Sequence, residues 1–229
     1  MFLPLHDANP IRHLSFPFVT YGIIALNVLV FLIQLGHGTG RSFDEFAITF
    51  AAVPVYFLEA SAPDRIPFLP DGVTLFTYAF LHADWLHLGS NMLFLWVFGD
   101  NIEDALGHWK FAIFYLACAA VSALIYILFA LGTYTWLIGA SGAVAGVMGA
   151  YIVLYPHARV YVLFRLVIPI PLPIPALWML GVWAALQVFY LVIGDDSPVA
   201  WTAHIGGLIA GALLCIPMKR REVELFGGR

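Results

Sequence analysis

Two side chains in separate apolar stretches have the types that nucleophilic catalysis requires. Ser141 lies in the glycine-rich run 137–151, and His204 lies in the run 200–216. A serine among glycines alone indicates helix packing, because small residues let membrane helices approach closely. A neutral imidazole is, however, the base that can take a hydroxyl proton at physiological pH. The pair predicts Ser141 as a nucleophile and His204 as its general base and acid.

A third apolar stretch carries side chains suited to stabilising a negatively charged oxygen. His87 and Asn91 are four residues apart and therefore share one helix face. The tetrahedral intermediate of acyl transfer needs hydrogen-bond donors, and His87, Asn91 and the backbone N–H of Ser141 at a helix start can supply them. No acid within a span is placed to orient His204, so the sequence predicts a dyad.

The composition indicates that membrane spans position these residues. Of the 229 residues, 62% are hydrophobic and only 10% charged, with a mean hydropathy of +0.91, whereas soluble domains carry about 25% charged residues. The net charge of −4 provides no basic patch for nucleic acid. Cys118 and Cys215 stand singly in apolar runs, which argues against a disulfide or metal framework. We expect an integral membrane protein with no cofactor, no metal and no nucleic-acid partner.

Six apolar runs predict the fold class, an all-α polytopic bundle of six transmembrane helices forming one domain over residues 1–229. Residues 36–72, rich in acids and aromatics, suit a large first external loop with short interfacial helices. Prolines at 169–175 predict a loop over 157–174, and the acids at 100–104 are expected to make capping and loop contacts. The predicted spans are 18–35, 86–102, 110–131, 141–155, 176–193 and 200–216.

The distribution of basic residues and the helical rise place the polar groups at similar depths. Eight lysines and arginines fall on the side of the termini and two on the other, which predicts that both termini are cytoplasmic. At 1.5 Å per residue, Ser141 lies about 21 Å and His204 about 18 Å above the terminal face, with Asn91 and His87 at about 16 and 22 Å. Ser141 is then roughly 9 Å below the outer surface.

Small residues on the fourth and sixth spans predict that these two helices touch. A small residue at every third or fourth position permits backbone contact, which would bring His204 to Ser141. These residues are Gly142, Gly146 and Gly149 on the fourth span and Ala203, Gly207 and Gly211 on the sixth.

Taken together, these motifs resemble those of the rhomboid family of intramembrane serine proteases, in its bacterial-type, six-span form. Gly139-Ala140-Ser141-Gly142 is similar to the family's G-x-S-G motif. Residues 203–211 resemble A-H-x-x-G-x-x-x-G, and residues 87–91 resemble H-x-x-x-N. His82 matches a further histidine that is often present in the family. Two features depart from the pattern, since a Trp-Arg pair in the first external loop is absent and Ala145 replaces an aromatic residue found in some members.

The resemblance implies hydrolysis of peptide bonds in or just outside transmembrane helices. It implies single-span or other membrane-protein substrates, residence in the lipid bilayer of a prokaryotic cell membrane, and supporting roles for Gly139, Gly142, His82 and Gly207. We also expect a substrate helix to approach between the second and fifth spans, because the prolines before the fifth can loosen its start. No oligomeric state is predicted.

Two alternatives belong to other functional classes. A catalytically inactive rhomboid-like chaperone or scaffold is disfavoured because Ser141, His204, His87 and Asn91 are all present. A small transporter with a broken fourth helix would show paired short segments in two related halves, and the sequence has no such symmetry.

Overall fold

The computed structural model describes residues 2–38, 41–58, 69–164, 170–194 and 199–227. Within these residues the chain is mostly helical, with two short 3₁₀ turns at Pro54–Phe57 and Tyr78–Phe80. The α-helices are α1 (Phe18–Gly36), α2 (Arg41–Phe50), α3 (Asp71–Thr77), α4 (Trp85–Leu106), α5 (His108–Phe129), α6 (Ser141–Leu154), α7 (Ala176–Ile193) and α8 (Trp201–Met218).

Four of these helices are long and apolar enough to cross a membrane. They are α1, α5, α7 and α8, and they coincide with the first, third, fifth and sixth predicted spans. Helix α4 covers the second predicted span but contains several polar and acidic residues. Helix α6, at the fourth predicted span, has only 14 residues, against about 20 for a full crossing. A helical membrane bundle is therefore supported, and the count of six spans stays a prediction.

Helix α6 forms the centre of the bundle. It packs against α8, α5 and α4, and eleven of its fourteen residues are buried. Helices α1 and α7 lie at the periphery and expose many large apolar side chains, as expected for surfaces that face lipid. Among the helices of the described residues, the one that begins with Ser141 is thus the most enclosed. Cys118 and Cys215 are both buried and free.

A three-stranded antiparallel sheet lies at the end of the bundle where the N-terminal segment and the α6–α7 connection meet. Its strands are β1 (Phe2–Asp7), β2 (Arg159–Phe164) and β3 (Pro171–Pro175), in the order β1-β2-β3. The all-α fold class is wrong in this respect, and so is the loop predicted over 157–174. Residues 165–169 lie outside the described residues.

The prolines of β3 explain why a segment that cannot be helical forms a strand. Proline has no backbone N–H and is accepted only where a strand's donor is not needed, as on an open edge. Backbone N–H groups point alternately to the two sides of a strand. The N–H of Ala176 donates to the Ala158 carbonyl at 2.8 Å, so the N–H groups of the even-numbered residues of β3 point toward β2. The backbone nitrogens of the odd-numbered residues Pro171, Pro173 and Pro175 therefore point to the open edge, where no donor is needed.

Two acids at the C-terminal end of α4 hold the N-terminal segment. Glu103 accepts the N–H groups of Val19 and Thr20 at 2.9 and 2.7 Å, at the start of α1. Asp104 accepts the N–H groups of residues 12–14 at 2.7–3.0 Å. The predicted capping and loop contacts at this end of α4 are confirmed.

The segment 36–72, predicted to be the first external loop, is described in part. Helix α2 lies beside α1, and Ala52, which follows it, forms a two-residue bridge with Leu137 through backbone bonds of 2.9 and 3.2 Å. This bridge holds the segment that precedes Ser141. The predicted loop residues 39–40 and 59–68 lie outside the described residues.

Candidate active site

Ser141 is the first residue of α6, and the backbone before it is held on two sides. Gly139 has a φ of 114°, a conformation that residues with a Cβ rarely adopt. Its N–H donates to the Tyr78 carbonyl at 3.0 Å. Because α6 begins at Ser141, the N–H of this residue has no partner within the helix, and the positive end of the helix dipole lies at its side chain.

His204 on α8 reaches the Ser141 hydroxyl. The distance from His204 Nε2 to Ser141 Oγ is 2.8 Å, within the range of a normal hydrogen bond. His204 is 9% exposed, whereas Ser141 retains partial access to the surface. The structure thus brings together the hydroxyl and the imidazole that the sequence paired.

The glycines of α6 and α8 make this contact possible. A methyl group on Gly207 would lie 2.0 Å from the carbonyl oxygen of Gly142, and one on Gly211 would lie 1.9 Å from that of Gly146. Backbone therefore meets backbone along the two helices. On its other side, Gly142 faces Ser122 of α5, whose hydroxyl donates to the Ala203 carbonyl beside His204 at 2.8 Å.

A glutamine that the sequence reasoning missed contacts the second nitrogen of His204. Gln187 on α7 is 5% exposed, and its Oε1 lies 2.7 Å from His204 Nδ1. Its Nε2 donates to the Trp183 carbonyl at 3.1 Å. The one available signal was composition, because Gln187 is the only amide side chain in the apolar run 176–193.

Two tryptophan rings flank the imidazole. The Trp183 ring centroid is 5.7 Å from that of His204, and the Trp201 centroid is 6.2 Å away and nearly perpendicular. Ala145, which stands where some rhomboids have an aromatic residue, is fully buried on α6. The aromatic neighbours of His204 therefore belong to α7 and α8.

His87 and Asn91 lie beside the backbone that leads into Ser141. A Cβ on Gly139 would be 2.6 Å from His87 Nε2 and 3.7 Å from Asn91 Nδ2. Asn91 is 7% exposed, and its Nδ2 has no hydrogen-bond partner within the part of the chain that the structure describes. An unpaired buried donor is rare and calls for an explanation. Here it lies beside Gly139, two residues before Ser141, where it could donate to the carbonyl oxygen that becomes an oxyanion when the serine attacks.

His82 lies behind this group. It is completely buried, and its ring meets that of His87 edge-on at a centroid distance of 5.1 Å. The Gln34 side chain bonds its backbone N–H and carbonyl at 3.0 and 3.2 Å. His82 therefore contacts His87 rather than Ser141. Chemically, the whole arrangement offers a hydroxyl, a base within reach of it, and donors placed for a developing negative charge.

Three known proteins illustrate the relatives of this chain. Rhomboid protein 1, mitochondrial, of Saccharomyces cerevisiae is 31% identical over 150 residues, which cover 62% of this chain and 40% of the yeast protein. RHOMBOID-like protein 12, mitochondrial, of Arabidopsis thaliana is 30% identical over 156 residues, covering 61% and 44%. Rhomboid protease AarA of Providencia stuartii is 30% identical over 168 residues, covering 63% and 57%. The chain thus spans less than two thirds of the length of each.

These comparisons correct the expected location. The sequence suggested a prokaryotic cell membrane with both termini in the cytoplasm. The yeast and Arabidopsis relatives are named as mitochondrial, as is the human presenilin-associated rhomboid-like protein, which is 27% identical over 145 residues, 62% of this chain and 34% of that protein. These relatives contradict the expectation of a prokaryotic cell membrane, which is therefore wrong.

The family itself follows from the match of a whole domain. The family model described as Rhomboid domain matches residues 70–221, which is more than half of the chain and contains all the residues of the site. On this match, and with its helices arranged around a short central α6, the protein belongs to the rhomboid family.

Proposed function

We propose that this protein is an intramembrane serine endopeptidase that cleaves transmembrane helices of membrane-protein substrates with a Ser141–His204 dyad. The observation that carries the proposal is the distance of 2.8 Å between His204 Nε2 and Ser141 Oγ. It is supported by family membership, since rhomboids include intramembrane serine proteases, and by the Providencia relative, which is named a rhomboid protease.

The proposed reaction begins with attack of Ser141 Oγ on the scissile carbonyl carbon while His204 Nε2 takes the hydroxyl proton. The carbonyl oxygen becomes an oxyanion, which Asn91 Nδ2, the His87 ring and the Ser141 N–H stabilise. His204 then gives its proton to the leaving amine, and the peptide bond breaks to leave an acyl-enzyme. Water, deprotonated by His204, hydrolyses the acyl-enzyme and regenerates the Ser141 hydroxyl.

The proposed substrates are helices that reach the site from the lipid. Helix α7 exposes large apolar side chains and follows directly after the prolines of β3, so we keep the interpretation that a substrate helix approaches between α4 and α7. Crosslinking α7 to α4 tests this route, and full cleavage after crosslinking would contradict it.

The direct experiment is cleavage of a single-span model substrate by the protein in liposomes. We expect cleavage by the wild type and none by Ser141→Ala or His204→Ala, with all three proteins eluting as the same folded species. A serine-directed phosphonate should label Ser141 in the wild type only. Cleavage that survives in Ser141→Ala would reject the mechanism, and a folded wild type that neither cleaves nor is labelled would favour the inactive scaffold.

A further inference from the structure

Gln187 occupies the place where the third group of a catalytic serine site would be found. In such sites a carboxylate usually bonds the imidazole nitrogen that faces away from the serine. Here the buried amide of Gln187 meets His204 Nδ1 at 2.7 Å, while Nε2 faces Ser141. The two nitrogens of the imidazole are thus engaged on opposite sides.

The hydrogen bonds of Gln187 determine which of its atoms faces the histidine. A backbone carbonyl only accepts hydrogen bonds, so the atom 3.1 Å from the Trp183 carbonyl must be the amide nitrogen. The atom that faces His204 is then the carbonyl oxygen Oε1. Because Oε1 only accepts, Nδ1 must carry a proton. In the neutral imidazole this leaves Nε2 unprotonated and directed at the Ser141 hydroxyl, which is the tautomer that a general base requires.

We propose that Gln187 is a positioning residue that fixes the tautomer and ring orientation of His204 and makes them depend on the placement of α7. This inference rests on the proposed hydrolysis. Gln187 does not touch the reacting atoms, and it acts only through His204. As a neutral acceptor it also bonds the imidazolium that forms during attack, less strongly than a carboxylate does.

The packing of α7 explains why the orientation of His204 depends on Gln187. The buried residues of α7 are Ala176, Met179 and Leu180 in its first two turns, and then Gln187. Beyond Leu180, α7 meets the site through Gln187 and through the ring of Trp183, which lies next to that of His204. Tyr190 adds a contact by stacking on Trp201, the second ring beside the imidazole. A displacement of this half of α7 would therefore release His204 while leaving Ser141 on the enclosed helix α6.

The test compares two substitutions of Gln187 with a matched control in liposomes. Gln187→Met keeps the size of the side chain and removes the acceptor, whereas Gln187→Glu keeps an acceptor and adds charge. Val188→Met places the same residue type at the next position, which is 49% exposed, and should behave as the wild type. Each protein is measured for kcat and KM against pH, for the rate of phosphonate labelling at Ser141, and for Tm.

For Gln187→Met we expect kcat and the labelling rate to fall about 10- to 100-fold with KM within about twofold, since general-base catalysis contributes about 10²–10⁴-fold. Gln187→Glu should recover most of the lost kcat above neutral pH. The acidic limb of its kcat profile should move to higher pH, because a carboxylate stabilises the charged imidazole.

Wild-type kcat in Gln187→Met would overturn the inference. Equal losses in both variants with an unmoved acidic limb would also overturn it, because that result indicates a purely structural role. If Gln187→Met does not fold, the position of the acidic limb in Gln187→Glu decides. Failure of the wild type to cleave or be labelled rejects the proposed function instead, so the two failures are distinct.

Discussion

Replacing Gly207 with alanine tests the contact between α6 and α8 on which the proposed chemistry depends. The added methyl group would lie 2.0 Å from the carbonyl oxygen of Gly142. Ordinary contacts between carbon and a carbonyl oxygen are about 3.3 Å or longer. The obstacle is backbone, which cannot rotate away as a side chain can. The two helices must therefore separate by about 1.3 Å at this level.

The consequence for the site follows from the position of His204, one turn before Gly207 on α8. If the separation is transmitted to the imidazole, the distance from His204 Nε2 to Ser141 Oγ rises from 2.8 Å to about 4 Å, beyond hydrogen-bond range. A misplacement of about 1 Å can cost about 100-fold in rate, so we expect kcat of Gly207→Ala to fall by about that factor. Overpacking of this kind also costs about 1–3 kcal/mol of stability.

The assay is cleavage of the single-span substrate in liposomes, with Tm measured for each variant under one set of conditions. Gly181→Ala on α7 is the matched control, because a Cβ at Gly181 meets no atom within 4 Å. The control should keep its activity and gain slightly in helix propensity. Wild-type kcat in a folded Gly207→Ala protein would refute the argument that backbone contact between α6 and α8 sets the distance between Ser141 and His204.

Two further predictions concern Asn91 and Asp7. Asn91→Ala should lower kcat about 10²–10³-fold, as the loss of one oxyanion donor does in other enzymes. Its Tm should stay close to that of the wild type, because Asn91 Nδ2 has no hydrogen-bond partner among the described residues to lose. A loss of activity that is accompanied by a marked fall in Tm would contradict this prediction. Burial raises the pKa of Asp7 to about 7, against the opposing effect of the hydrogen bond from the Tyr151 hydroxyl. The folded protein then holds the proton of Asp7 more tightly than the unfolded chain, so the stability that this proton provides is complete below about pH 4 and is lost as pH rises through 7. Tm of the wild type should decline from pH 5 to 8 more steeply than Tm of Asp7→Asn, and parallel declines would contradict the pKa assignment.

The sequence could predict that four side chains lie close together, namely Ser141, His204, His87 and Asn91. Membrane helices are nearly straight and cross the same hydrocarbon layer. Under that constraint, position along the chain converts to depth. Small residues then indicate which helices approach most closely. The four side chains lie together around Gly139 and Ser141, which is the arrangement that these two constraints jointly favour.

Gln187 was not predictable in the same way, because depth does not give the rotation of a helix about its axis. Apart from Gln187 itself, the run 176–193 is apolar around its whole circumference, so no broader polar face indicates which side of α7 points inward. The sheet escaped prediction for another reason. Its strands pair residues far apart in the chain, such as Leu3 with Leu163, and the proline argument excludes a helix without excluding an edge strand.

The proposed nucleophile Ser141 and the proposed base His204 differ in how firmly the fold holds them. Ser141 begins the most enclosed helix, whereas the side chains that flank and orient His204 come partly from α7, a peripheral helix with mostly exposed side chains. Ala145 places no aromatic ring under the imidazole from the enclosed helix, and Trp183 provides one from α7 instead. If Gln187 acts as proposed, a change in lipid or detergent that shifts α7 acts on the base and not on the nucleophile. Such a change would lower kcat through the orientation of His204 while the backbone around Ser141 and the donors at His87 and Asn91 stay in place.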